Sequence, residues 1–236
     1  MPDTHLIDAN TTLLISKTSL PVNANWFSTD YWKKQNALAG TGQGRGEVWF
    51  IHSEFGDFVM RRYRRGGLIA KFNKASFLFT GQTQTRPWQE LNLLETMLAA
   101  QLPVPDPVAG IYHQHNGFYC AYLLTKTIPN AQDLFDILKE GNSNTVNWND
   151  VGKTIRHFHN NGINHTDLNC HNIMIDTDNK VWVIDFDKCD QRTIDQKWTL
   201  DNINRLKRSL DKEAQKHTKF TVSATQWRDF LEGYRG

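Results

Sequence analysis

Residues 165–187 read "HTDLNCHNIMIDTDNKVWVIDFD", and the reading of this stretch decides the fold. Asp167 and Asn172 stand in a polar loop, and Asp185 closes the apolar run Val181–Ile184. Asp178-Asn179 is a turn signal, so two short strands are expected around it. Taken alone, Asp185-Phe186-Asp187 admits a metal-holding Asp-x-Asp pair or the acidic exit of an ordinary buried strand. Together with the loop, it brings two carboxylates and a carboxamide onto one short segment. Such a set suits magnesium, a hard ion that takes oxygen ligands and shares phosphate oxygens. Asp167, if not on the metal, is placed to accept a proton from an attacking hydroxyl.

Working outward, "WNDVGKTIRHFHNNG" (148–162) sets Val151, Ile155 and Phe158 on one helical face, with Gly162 beyond the end as a cap. "AQDLFDILKE" is a second amphipathic helix, and Pro129-Asn130 before it breaks the pattern. The spacing predicts a β-rich part over 1–128 and a mainly helical part over 129–236. Within the first, residues 1–39 read as a polar extension with some short helix. Gly40, Gly42, Gly44 and Gly46 then form a loop running into the strand-like "EVWFIH", and "FVMRRY" follows as the next strand. Thr85 to Leu102 switches to helical signals, with Pro87 in the first turn and Leu91, Leu94 and Leu98 on one face. "GIYHQHNGFYCAYLLTKTI" reads as a hairpin turning at Asn116-Gly117. One further helix is expected around "LDNINRLKRSLDK", followed by a short tail.

The totals bound the class. A chain of 236 residues with 39% hydrophobic content and a net charge of +2 is ordinary globular protein, and no nucleic-acid partner is expected. No apolar run approaches the roughly 18 to 20 residues of a membrane span. The N-terminus lacks a basic head followed by an apolar stretch, so no secretory signal is expected. Cys120, Cys170 and Cys189 lack Cys-x-x-Cys spacing and read as free thiols in a reducing compartment. His113 with His115, and His157 with His159, find no third ligand nearby and read as structural. Charge is uneven: "RRYRRGGLIAKFNK" gathers Arg61, Arg62, Arg64, Arg65, Lys71 and Lys74 among aromatic and aliphatic residues. This run is either a solvated face or a surface for an anionic membrane or phosphorylated ligand.

The pattern His-x-Asp-Leu-x-x-x-Asn at 165–172, a hairpin, and Asp-Phe-x at 185–187 resembles the protein-kinase-like superfamily. The resemblance implies a two-lobed α+β fold with a shortened C-terminal lobe, in which 1–128 holds the nucleotide-binding lobe and 129–236 the catalytic lobe. It implies ATP and Mg²⁺ as cofactors, Asp167 as the catalytic base, and Asn172 and Asp185 as metal ligands. Gly42, Gly44 and Gly46 would cover the ATP phosphates, and Arg61 would stand in the usual lysine's place, held by Glu90. Arginine there is bulkier, planar and permanently charged. Arg61, Arg62 and Lys71 therefore all remain candidates for the phosphate contact, with register favouring Arg61. Asn169 replaces the lysine that protein kinases place two residues after the catalytic aspartate. Only about 50 residues follow Asp185, without an Ala-Pro-Glu signal, so the acceptor is expected to be a small molecule or glycolipid rather than a protein. Asp187 occupies the place of a flexible glycine and implies a motif held in one conformation.

More narrowly, "FVMRRYRRGG", "RPWQELNLLETMLAAQLPVPDPVAG", "GINHTDLNCHNIMID", "VWVIDFDKCDQR" and "NINRLKRSL" together resemble the lipopolysaccharide-core kinases of Gram-negative bacteria, from about Gly42 to Arg208. That resemblance implies ATP-dependent phosphorylation of O-4 of 3-deoxy-D-manno-octulosonic acid (Kdo) on a Kdo–lipid A acceptor. It also implies a peripheral position at the cytoplasmic face of the inner membrane, with Arg62, Arg64, Arg65, Lys71 and Lys74 meeting the acidic glycolipid or the anionic membrane surface. The competing readings are a kinase of another small molecule, akin to an aminoglycoside phosphotransferase; a glycosyltransferase built on Asp185 and Asp187; and a lipid-binding pseudokinase.

Overall fold

The computed structural model describes residues 1–41, 47–64 and 76–236. The chain divides into two compact units: Met1–Glu95 with Asp106–Thr127, and Thr96–Pro105 with Ile128–Gly236.

The first unit is built on an antiparallel sheet. Its strands are β1 (Asp3–Leu6), β2 (Thr11–Ile15), β3 (Leu38–Thr41), β4 (Val48–Ser53), β5 (Gly56–Arg62), β6 (Phe77–Leu78), β7 (Pro107–His115) and β8 (Phe118–Lys126). They lie in the order β1-β2-β7-β8-β5-β4-β3, with β6 also paired to β8. The β7–β8 hairpin turns at Asn116-Gly117, both in the left-handed region with φ of 49° and 75°, which is why the asparagine–glycine pair marks it so clearly. β1 and β2 correct the expected N-terminal extension. Residues 3–15 form a hairpin whose inner strand pairs β7 over Thr11–Ile15, and a 3-10 turn over Ala24–Phe27 with α1 (Thr29–Lys34) supplies the short helix.

One face of this sheet is covered by residues 20–37. Trp26, Phe27 and Trp32 are buried there against Ile51, Phe58, Met60, Val108, Ile111 and Leu124. Phe58 and Met60 point to this face; Val59, Arg61 and Tyr63, out of phase with them, point to the other. That other face receives α2 (Arg86–Ala99). A Cβ on Gly110 would meet the Pro87 Cβ at 2.7 Å, so only glycine at this position of β7 lets the first turn of the helix come so close. The buried side of α2 comprises Glu90, Leu91, Leu93, Leu94 and Met97, whereas Leu98, expected on it, is half-buried.

The second unit is mainly helical. It contains β9 (Gln132–Asp133), α3 (Leu134–Lys139), α4 (Trp148–Asn160), β10 (Ile163–Asn164), β11 (Ile173–Ile175), β12 (Val181–Val183), β13 (Asp190–Gln191), α5 (Gln196–Ala214) and α6 (Ala224–Arg235). β11 and β12 form the expected hairpin, and Asn179 takes φ of 62° in its turn. β9 adds to the β11 edge, and β10 pairs with β13. The expected short tail is corrected by α6, which opens with a reciprocal Ser223–Gln226 capping box. Its backbone touches that of α4: a Cβ on Gly152 would meet the Phe230 carbonyl at 2.1 Å, and one on Gly233 the Asn149 carbonyl at 2.0 Å. Among the described residues, no helix is long and apolar enough to cross a membrane.

Candidate active site

In the first unit, strand alternation sets Arg61 and Tyr63 on the face that carries α2, and both converge on Glu90. Arg61 Nη2 donates to Glu90 Oε1 and Oε2 at 2.6 and 2.7 Å, and the Tyr63 hydroxyl donates to Oε2 at 2.8 Å. The guanidinium lies over the Tyr63 ring, 4.9 Å from its centroid. Glu90 is 3% exposed and Arg61 is 21% exposed, so the carboxylate is the buried anchor and the cation is the member nearer solvent. The expected pairing of Arg61 with Glu90 is present. Tyr63, which the motif reading passed over, was recognisable only by standing two residues beyond Arg61 on the same strand face.

The neighbouring cations face differently. Arg62 Nη1 and Arg64 Nη2 donate to the two oxygens of Glu47 at 2.9 and 3.0 Å. The Arg62 hydrogen bond, reinforced by the charge of both arginines, holds the Glu47 carboxyl below the usual carboxylate range. The Arg62 guanidinium also lies over Tyr122, 5.6 Å from the ring centroid. Gly42, Gly44, Gly46, Arg65, Lys71 and Lys74 lie outside the described residues.

In the second unit the 165–172 loop is fixed from several sides. The buried His165 ring accepts the Asp167 backbone N–H at Nδ1 (3.3 Å) and donates from Nε2 to the Ile184 carbonyl (3.0 Å), which defines a neutral tautomer. Burial holds its pKa below the ordinary histidine value. Its ring lies 5.0 Å from that of Phe186, which in turn stacks on Phe158 of α4 at 5.9 Å. His165 is thus a structural residue of the loop. Asn202 of α5 accepts the His165 N–H at 3.0 Å and donates to Asn164 at 3.0 Å, and Asn164 donates to Asp190 at 2.9 Å.

These ties leave Asp167 presented outward, its side chain 63% exposed, 3.6 Å from Arg205 Nη1 of α5. The Asp167 carbonyl accepts from Asn169 Nδ2 at 2.9 Å and from Asn172 Nδ2 at 3.0 Å. Asn172 lies opposite Ile184, the residue before Asp185, because the β11–β12 ladder runs one step further, the Ile184 N–H donating to the Asn172 carbonyl at 3.0 Å. With Nδ2 engaged, Asn172 can offer a cation only Oδ1. Asn172 and Asp185 therefore present an all-oxygen donor set, which fits magnesium and does not suit a soft metal. Asp185 adopts φ of 64°, a left-handed conformation uncommon outside glycine and concentrated at functional sites. Asp187 is not among the positive-φ residues, so an L-residue sits in the glycine's place without backbone strain; Lys188, at φ of 65°, carries the turn instead.

Other expectations resolve plainly. Trp182 is half-buried; it donates to Asp176 at 2.8 Å and lies under Lys180. His171 packs against Phe135 at 4.2 Å. Cys170 is buried beside Ser209, and burial pushes its thiol up to about 11.

The model of the "Lipopolysaccharide kinase (Kdo/WaaP) family" matches residues 29–234. The 3-deoxy-D-manno-octulosonic acid kinase of Vibrio parahaemolyticus is 42% identical over 200 residues, covering 85% of this chain and 82% of the relative. That of Mannheimia succiniciproducens is 40% identical over 223 residues, covering 91% and 92%. Among solved structures, WaaP in complex with acyl carrier protein aligns with a TM-score of 0.57 at 16% identity, over 94% of this chain and 88% of that one, a likeness of fold.

Proposed function

The chain belongs to the lipopolysaccharide kinase (Kdo/WaaP) family, and from that premise we propose that it transfers the γ-phosphoryl group of ATP to O-4 of Kdo on Kdo–lipid A. It is a phosphotransferase of lipopolysaccharide inner-core assembly. The observation that carries the residue assignment is the braced loop. Asp167 projects its carboxylate from a loop held by His165, Asn172 and Asn202, and the Asn172 carbonyl ties the same loop to Ile184, the residue before Asp185.

In this reading Asp167 positions the acceptor hydroxyl and takes its proton as the oxygen attacks phosphorus. Asn172 and Asp185 would hold Mg²⁺, which when bound supplies charge neutralisation at the phosphates. Arg61 orients the nucleotide phosphates, its guanidinium fixed by Glu90 and Tyr63, and Gly42, Gly44 and Gly46 cover them. Residues 1–128 are the nucleotide-binding lobe and 129–236 the catalytic lobe. We further assign the protein to the cytoplasmic face of the inner membrane as a peripheral protein, with an anionic membrane surface as partner. Arg65, Lys71 and Lys74 are then the cations expected to meet it, since Arg62 and Arg64 already share Glu47.

The test offers purified protein and ATP a Kdo–lipid A precursor, soluble sugars and aminoglycoside antibiotics side by side. Phosphate gained by the glycolipid alone is the expected result. Equal turnover of a soluble sugar or an antibiotic would overturn the acceptor assignment.

A further inference from the structure

The segment "NINRLKRSL" (202–210) has an arrangement that the phosphotransfer scheme leaves unused. It lies on α5, and one face of that helix follows the catalytic loop. Asn202 bonds the His165 backbone, Arg205 stands 3.6 Å from the Asp167 carboxylate, and the Ser209 hydroxyl accepts the Cys170 N–H at 3.2 Å. Leu206 between them is fully buried and sets the rotation of the helix. Spacings of three, four and seven residues on a helix thus meet successive loop positions 165, 167 and 170. Arg205 is carried to the base by this docking, not by chance at the surface.

The loop itself supplies no cation there. Asn169, two residues after Asp167, uses Nδ2 on the Asp167 carbonyl and Oδ1 on the His171 N–H at 2.8 Å. The Arg205 side chain is 47% exposed, and 3.6 Å is an ion-pair separation rather than a close hydrogen bond, so its planar fork of donors retains capacity for a ligand. The acceptor of the proposed reaction is a sugar acid. Its carboxylate and its reacting hydroxyl belong to the same monosaccharide, a few ångströms apart, on the scale of the separation between Arg205 and Asp167. A guanidinium matches a carboxylate in both charge and geometry.

We propose that Arg205 is a specificity-determining residue that binds the carboxylate of the acceptor sugar acid and so presents its hydroxyl to Asp167. This rests on the acceptor assignment above and adds to it the group by which the acceptor is recognised.

The experiment compares wild type, Arg205→Met and Arg205→Lys on two acceptors, Kdo–lipid A with its free carboxylate and the same glycolipid with that carboxylate converted to the primary amide. Nucleotide affinity is measured in parallel. On the acid acceptor, Arg205→Met should raise KM by roughly 10- to 100-fold, the scale of charge-assisted hydrogen bonds, with a smaller change in kcat. Arg205→Lys should recover part of the loss. On the amide acceptor, Arg205→Met and wild type should perform alike, and nucleotide affinity should be unchanged throughout. An equal loss on both acceptors, falling on kcat, would overturn the proposal and assign Arg205 to Asp167 or to the transferring phosphoryl group. Unchanged kinetics in Arg205→Met would equally overturn it. Wild type inert toward both acceptors would overturn the acceptor assignment itself, and with it this proposal.

Discussion

Glu90 anchors three hydrogen bonds, and Glu90→Gln tests how much of the first unit's site depends on that charge. The substitution keeps shape but leaves one acceptor oxygen where two served Arg61 and Tyr63 at 2.6 to 2.8 Å. Charge-assisted hydrogen bonds contribute about 1.5–3 kcal/mol each, and breaking a buried ion pair costs roughly 3–5 kcal/mol. Water reaches the guanidinium, which is 21% exposed, so the loss falls short of a fully buried pair's and is about 2–3 kcal/mol. Urea unfolding followed by tryptophan fluorescence should show the midpoint falling by roughly 1 M. Tyr63→Phe, which removes one hydrogen bond and keeps the pair, should cost about 1 kcal/mol. Nucleotide affinity should fall in Glu90→Gln, because Arg61 loses its orientation. A variant within about 0.5 kcal/mol of wild type would refute the anchor. A destabilised variant with unchanged nucleotide affinity would refute the phosphate role of Arg61.

Three other outcomes are expected. Asp167→Ala should lose about 10²- to 10⁴-fold in kcat while still binding ATP, read by steady-state assay and nucleotide titration. Stability should fall as pH drops from about 6.5 to about 4, because burial depresses His159 to about 4 and His165 in the same direction. The unfolded chain takes up protons that the folded one refuses, so the contribution is complete above pH 6.5. For His159 it amounts to roughly 3 kcal/mol, and His159→Gln should flatten urea midpoints across that window. Gly152→Ala should cost roughly 3 kcal/mol or more in unfolding experiments, since its Cβ would sit 2.1 Å from the Phe230 carbonyl and force α6 off α4.

Sequence and structure agree most closely where the signal is local. Asp167, Asn172 and Asp185 fall within about 20 residues of chain, and the hairpin between the last two announces itself through Asp178-Asn179. Asn116-Gly117 was equally readable because both residues take positive φ. β1 was not readable: all four of its residues are exposed, so it lacks apolar alternation and exists through main-chain pairing with β2. α6 carried a legible capping box, but Gly233 reads as a breaker, and only the backbone approach to Asn149 explains why glycine is required inside that helix. The tie of Arg205 to Asp167 joins positions well separated along the chain and has no local signal, whereas Glu47 meets Arg62 and Arg64 across the β4–β5 hairpin, a pairing visible only once the strand register is known.

The most direct measurement of the central claim is mass spectrometry of Kdo–lipid A after incubation with the protein, ATP and Mg²⁺, with phosphorus NMR to locate the modification. Wild type should add one phosphate to the Kdo residue at O-4, and Asp167→Ala should add almost none in the same time. A glycolipid left unmodified by wild type, or phosphate carried on the lipid A part instead, would contradict the account.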